Sequence, residues 1–191
     1  MEEKIQMKKN RFQNPSLLFK IEDCLTYKFG SERYKKFIKG IRLKGEEKVI
    51  EFGSGGGSLT SYLVKKIPKG KITCVDISDY FLKKAKKRLK EYKNIEFKKN
   101  LSSLRKNNYD VTIVHFVLHD IEEKQKEKII KDLSSKLKKR GYLYIKEPIS
   151  KSHGMPSEEI EKLMKKAKLK KIFSKEEKSK GSKTYFGVFA K

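Results

Sequence analysis

The chain has 191 residues, enough for one domain with a sizeable core, and no stretch in it reaches the length of an apolar membrane-spanning helix. It carries 49 Lys and Arg against 24 Asp and Glu, a formal charge of +25. Cys24 and Cys74 stand far apart and without metal-ligand spacing, which argues against a disulfide framework and against a zinc site. The start, Met1-Glu2-Glu3-Lys4, has no apolar signal core, so the expected location is cytoplasmic. A basic balance is one footprint of a nucleic-acid partner. Only six of the basic residues are arginines, however, and base reading leans on the arginine fork. The lysines are spread along the whole chain, mostly on helix faces. A solvated lysine surface is therefore the first reading, and a polyanion site the alternative.

Residues 1–15 are polar and end at Asn14-Pro15, an expected flexible arm. Leu17, Leu18, Phe19, Ile21, Leu25, Tyr27 and Phe29 recur at helical spacing over 16–29, up to the breaker Gly30. A second helix, about 31–43, carries Tyr34, Phe37, Ile38 and Ile41, and the two together read as a helical cover over residues 1–44. The first strand is 47–52. The helix after it, about 57–67, stops at Pro68-Lys69-Gly70. The second strand, 71–76, ends on Asp76. Ser78 or Asp79 caps the next helix, whose stripe is Leu82, Ala85, Leu89 and Tyr92. Lys83, Lys84, Lys86, Lys87, Arg88 and Lys90 lie mostly on its open face. The third strand is 94–98. The fourth, 109–115, is apolar and β-branched, as a strand buried on both faces should be. A helix over about 122–139 ends at Arg140-Gly141, and the fifth strand, 142–146, precedes Glu147-Pro148. A loop at 150–157 and a helix at 158–168 follow. The tail reads as strands 169–174 and 183–190 around Lys180-Gly181.

The stretch from Lys48 to Thr60 organises the rest. An apolar run ends in Glu51, and Gly53, Gly55, Gly56 and Gly57 follow before an amphipathic segment. This is strand, glycine loop, helix, in which glycines permit positive φ and close approach of a ligand. The loop is expected to open onto a helix N-terminus whose free N–H groups favour a polar or anionic ligand group. The dinucleotide fingerprint G-x-G-x-x-G would need glycine at position 58, where Ser58 stands. The pattern E-x-G-x-G-x-G instead resembles the first motif of the class I S-adenosylmethionine-dependent methyltransferases. Asp76, 25 positions after Glu51, matches that family's second motif, the acid that reaches ribose hydroxyls. The terminal hairpin after five β/α units is similar to the same family's sheet. Phe29-Gly30-Ser31 with Arg33 resembles the lead-in to quinone C-methyltransferase-type, small-molecule enzymes.

The resemblance covers about residues 45–191 and implies a doubly wound, Rossmann-like α/β domain. Its seven-stranded sheet ends in a C-terminal antiparallel hairpin. It also implies S-adenosylmethionine as cofactor, held by Glu51, Gly53, Ser54, Gly55, Gly57, Asp76, Ile77, Asn100, Leu101, His115 and Phe116. Asn100 replaces the family's usual acid, and its amide oxygen can accept from an amine in the same way. Leu118-His119-Asp120 resembles the segment that carries the general base of small-molecule O-methyltransferases. Glu147, just after the fifth strand, matches the acid that orients that base. His119 also has a bland reading as a capping or packing residue.

The Asn/Asp-Pro-Pro-Tyr motif of enzymes acting on base amines is replaced here by His115-Phe116-Val117-Leu118. The two cysteines do not suit arsenic methylation or a covalent pyrimidine mechanism. The expected activity is methyl transfer to a small molecule. RNA or ribosomal-protein methylation through the basic surface, and a non-catalytic cofactor-binding adaptor, are the alternatives.

Overall fold

The computed structural model describes residues 15–29, 31–149, 154–179 and 182–191. The expected arm, apart from Pro15, lies outside the described residues, as do Gly30, residues 150–153 and the Lys180-Gly181 turn. Helices α1 (Leu17–Phe29) and α2 (Ser31–Lys39) come first, followed by β1 (Lys48–Phe52), the short α3 (Thr60–Leu63) and β2 (Lys71–Val75). Next are α4 (Asp79–Arg88), β3 (Ile95–Lys98), β4 (Tyr109–His115) and a 3-10 turn at Leu118–Asp120. The chain closes with α5 (Glu123–Lys136), β5 (Leu137–Pro148), α6 (Ser157–Lys166), β6 (Lys170–Ser179) and β7 (Ser182–Ala190). The strands form a seven-stranded mixed sheet in the order β3-β2-β1-β4-β5-β7-β6, in which β7 is antiparallel to both of its neighbours, β5 and β6. This is the α/β, Rossmann-like sheet with a terminal hairpin that the sequence implies.

Contacts divide the chain into two units. One holds the described residues up to Glu47 together with Ser54–Asn100, and the other holds Lys48–Gly53 together with Leu101–Lys191. In the first, β2 and β3 pair in parallel, Ile72 beside Ile95 and Cys74 beside Phe97. Phe81, Leu82, Ala85 and Leu89 of α4 are buried, and Ser78 caps the helix by accepting the Phe81 N–H. In α2 and the segment after it, Tyr34, Phe37, Ile38 and Ile41 are buried as the spacing predicts. Helix α1 departs from expectation, because Leu17, Leu18, Ile21 and Leu25 are exposed.

In the second unit, β4 runs parallel between β1 and β5. Val111, Thr112, Ile113 and Val114 are all buried, the both-faces burial that a β-branched run suits. Ile130 and Leu133 of α5 and Ile160, Leu163 and Met164 of α6 complete this core.

Two helices are shorter than their patterns predict. The expected helix 57–67 is only α3. Gly57 sits at φ 80°, which no helix tolerates, and a tight Lys66 N–H to Leu63 C=O bond closes the far end. The glycine loop therefore does not open onto a helix long enough to offer a field at its N-terminus. Helix α5 ends at Lys136 rather than 139. Its last carbonyls, on Ser135 and Lys136, are taken by the N–H groups of Asn107 and Asn108. Leu137 then turns extended and pairs with Tyr109, so β5 begins five residues before Tyr142. Among the described residues, no helix is long and apolar enough to cross a membrane. No three His, Cys, Asp or Glu side chains among them gather to hold a metal ion.

Candidate active site

In the first unit the glycine loop is tied to the end of β2. Ser54 N–H donates to Val75 C=O, and Gly55 N–H donates to Asp76 Oδ2 at 2.8 Å. The other oxygen of Asp76 accepts from Ser78 N–H at 2.9 Å. Burial raises the Asp76 carboxyl above that of a free aspartate, and the amides of Ser78 and Gly55 pull partly against that shift. Gly55 has φ 51°, and a Cβ there would meet no atom within 4 Å. The loop thus needs glycine at this point for its backbone conformation and leaves open space over it. Ser54 Oγ is buried and finds no hydrogen-bond partner among the described residues.

In the second unit β4 ends on His115, whose ring stands edge-on to Phe116 with centroids 4.6 Å apart. Phe116 has φ 57°, a strained conformation for a bulky residue. Its N–H is anchored on Lys146 C=O at 2.8 Å. The chain then enters the 3-10 turn at Leu118–Asp120, and the turn's open amides all point at one side chain. Glu147 Oε1 accepts from the N–H groups of Val117 and Leu118, each at 2.8 Å. Its Oε2 accepts from His119 N–H at 3.4 Å and lies 2.7 Å from His119 Nδ1. Glu147 is fully buried. A carboxylate receiving three amide donors has only acceptor atoms to offer, so Nδ1 carries the ring hydrogen. Nε2 is left as the basic nitrogen, 3.5 Å from Asp120 Oδ2.

Gly53, at φ 72°, faces Val117, and a Cβ there would run into both Val117 methyl groups. Gly53→Ala should cost about 2–5 kcal/mol, from overpacking and left-handed strain together. Denaturant midpoints will show it, and Val117→Ala in the same background should return only the overpacking share.

The structure brings together Gly55 with Asp76, and His119 with Glu147. Glu51 is buried on β1, and Leu101 is buried in the second unit. In the first unit Ile77 and Asn100 are exposed, while Gly57 packs on Ala85 and Leu89 of α4. The sequence reading missed Arg88. It lies on α4 but points inward, its Nη1 donating to Gly56 C=O at 2.9 Å and its Nη2 to Asp23 at 3.0 Å. One signal was available: a rare arginine inside a run of lysines is the residue suited to two-pronged hydrogen bonding.

A family model described as a methyltransferase domain matches residues 50–143. The candidate methyltransferase 235L of Invertebrate iridescent virus 6 is 27% identical over 143 residues, 73% of this chain and 51% of that protein. The chain thus spans about half the length of this curated relative. A SAM-dependent methyltransferase structure from Aquifex aeolicus aligns with a TM-score of 0.68 at 22% identity, over 95% of this chain and 97% of that one. The N-methyltransferase NodS of Bradyrhizobium japonicum WM9, solved with S-adenosylhomocysteine, aligns with a TM-score of 0.70 at 18% identity, over 85% and 87%. At these identities the two structures speak for the fold. Together with the domain match they show that the chain carries a methyltransferase domain over residues 50–143 and has the fold of the class I S-adenosylmethionine-dependent methyltransferases.

Proposed function

We propose that this protein transfers a methyl group from S-adenosylmethionine to a small-molecule acceptor, with His119 as the base that takes the acceptor's proton. The observation that carries this reading is the buried Glu147 carboxylate 2.7 Å from His119 Nδ1, which leaves Nε2 basic. When bound, S-adenosylmethionine supplies an electrophilic methyl carbon on a sulfonium. The first unit fits such a nucleoside ligand. Asp76 offers carboxylate oxygens to ribose hydroxyls, Gly55 leaves its flank open, and the buried Ser54 Oγ can donate or accept. The other residues assigned to the cofactor by family likeness are proposals of the same kind.

His119 Nε2 accepts the proton of an acceptor hydroxyl as the oxygen attacks. The resulting imidazolium is held by Glu147 at Nδ1 and faces Asp120 at Nε2. A positioned base of this kind contributes about 10²–10⁴-fold in rate.

An RNA acceptor is the second reading, and one observation favours it. A cleft of about 520 Å³ in the second unit is lined by Lys162, Lys165, Lys170 and Lys171 together with Glu158 and Glu161, over Leu169 and Phe189. Its four lysines outnumber its two acids, which leaves the lining with a positive balance. The test is S-adenosylmethionine with a labelled methyl group, offered hydroxylated small molecules, amines and total RNA. Label on a hydroxylated small molecule, at a rate indifferent to moderate salt, is the expected result. Label in RNA with steeply salt-dependent binding would replace the small-molecule reading. S-adenosylhomocysteine binding with no transfer to any acceptor would leave the adaptor reading standing.

A further inference from the structure

We infer that Arg88 is a positioning residue that latches helix α1 onto the glycine loop, so that docking of the helix and binding of the cofactor by the loop are coupled. The inference rests on the cofactor reading of that loop.

The latch has three strands. The guanidinium donates to Gly56 C=O and to Asp23 Oδ2, and it lies 4.0 Å from the centroid of the Tyr27 ring. Asp23 and Tyr27 are four residues apart on α1 and so share a face. Lys84 adds a second cation to Asp23 at 2.6 Å. The ion pair is sheltered, with the side chains of Arg88 and Asp23 only 12% and 15% exposed. A lysine cannot repeat this arrangement, because one ammonium on a flexible stem lacks both the fork and the flat face. The latch also explains a glycine that the motif does not require. A Cβ on Gly56 would lie 2.6 Å from Arg88 Nη1 and 3.0 Å from Asp23 Oδ1.

Two neighbouring loop residues are therefore held from opposite sides. Gly55 is held through its N–H by Asp76, and Gly56 through its carbonyl by Arg88. A glycine-rich loop without such ties samples many conformations and loses that entropy when it orders around a ligand. Helix α1 in turn shows little apolar burial among its described side chains. It has 13 residues, marginal for an isolated helix, and Leu17, Leu18, Ile21 and Leu25 are exposed. Its described contacts with the rest of this unit include the latch itself and Lys20 over the Tyr80 ring at 5.3 Å. An element with few buried apolar contacts opens readily, so a ligand can shift its equilibrium. By linkage, whatever factor the docked helix adds to cofactor affinity, the cofactor adds to helix docking.

The test titrates S-adenosylhomocysteine into the full chain and follows amide hydrogen exchange over residues 17–29. In the parent, ligand is expected to slow exchange in α1. Arg88→Lys is expected to weaken binding roughly fivefold or more and to abolish the ligand's effect on α1. The isosteric Asp23→Asn should do the same, and the double variant should fall short of the product of the two single effects. Lys87→Gln, on the exposed side of α4, should match the parent. Parental binding together with indifferent Arg88→Lys and Asp23→Asn variants, or α1 exchange unmoved by ligand in the parent, would overturn the inference alone. A parent that does not bind S-adenosylhomocysteine would overturn the cofactor reading of the loop, and the latch role with it.

Discussion

Glu147→Gln is expected to fold and to bind S-adenosylhomocysteine as the parent does, yet to turn over about 10²–10⁴-fold more slowly. The amide oxygen can take the place of Oε1 and keep both 2.8 Å bonds from the N–H groups of Val117 and Leu118. The amide nitrogen must then occupy the place of Oε2, facing the His119 ring and giving up the long 3.4 Å bond from His119 N–H. There it is a donor. The ring can answer only by turning Nδ1 into an acceptor, which moves its hydrogen to Nε2. The imidazole stays in place but no longer has a lone pair where the acceptor's proton should go. Nitrogen-15 spectra of the ring should show the change of tautomer, and single-turnover assays the loss of rate. His119→Ala should lose a similar factor. The double variant should be no worse than either single change, because residues acting as one unit are not additive. Parental turnover in Glu147→Gln would remove His119 from the chemistry and leave it a packing residue.

Glu147→Ala should behave differently, and the contrast separates the residue's two roles. Truncation leaves three backbone N–H groups and the imidazole without their acceptor in a fully buried place. Each unsatisfied group costs about 1–3 kcal/mol. Against a total stability of roughly 5–15 kcal/mol, that sum threatens the folded state itself. The same carboxylate thus fixes the 3-10 turn and sets the tautomer. The glutamine variant keeps the two short turn bonds and gives up only the long one from His119 N–H, so it comes closest to isolating the second task.

The strands were legible because their signal is local. Val111–Val114 is β-branched and apolar, and such a run has few places to go except a strand buried on both faces. The acid following β2 and the glycines after β1 were legible as motifs, and the structure brings Asp76 onto Gly55. His119 and Glu147 are 28 positions apart. Their pairing came from resemblance, because no periodicity links the two. What the sequence hid was decided by tertiary contact. Helix α5 stops where the amides of Asn107 and Asn108 take its last carbonyls, which no pattern within the helix foretells. The helix after the loop shrinks because Gly57 is held at positive φ against α4. Arg88 read as one more exposed cation on a lysine face because its partners lie 32 and 65 positions away. The strain at Phe116 is likewise invisible until its N–H is seen anchored on Lys146.

Asp76→Ala is expected to weaken S-adenosylhomocysteine binding about 10²-fold, from the loss of charge-assisted bonds worth about 1.5–3 kcal/mol each. Part of that loss is indirect, because the carboxylate also ties down the N–H groups of Gly55 and Ser78. A pH series separates the two contributions. Burial raises the Asp76 carboxyl above that of a free aspartate, so it protonates at a higher pH. Protonation removes an acceptor from the role proposed for Asp76. Ligand affinity should therefore be full above the raised value and fall as the pH drops through it, before an ordinary carboxylate would titrate. The stability of the ligand-free protein should move the other way. The folded state takes up this proton more readily than the unfolded chain, so the Asp76 contribution to folding becomes more favourable as pH falls from the raised value towards 3.8. Titrations across about pH 4–7, run beside Asp76→Asn, test both signs. The asparagine variant should bind weakly and lack this pH step. If it keeps the parent's pH dependence, the titrating group is another residue. If the parent's affinity is flat across the range, Asp76 is not the acid that holds the ligand.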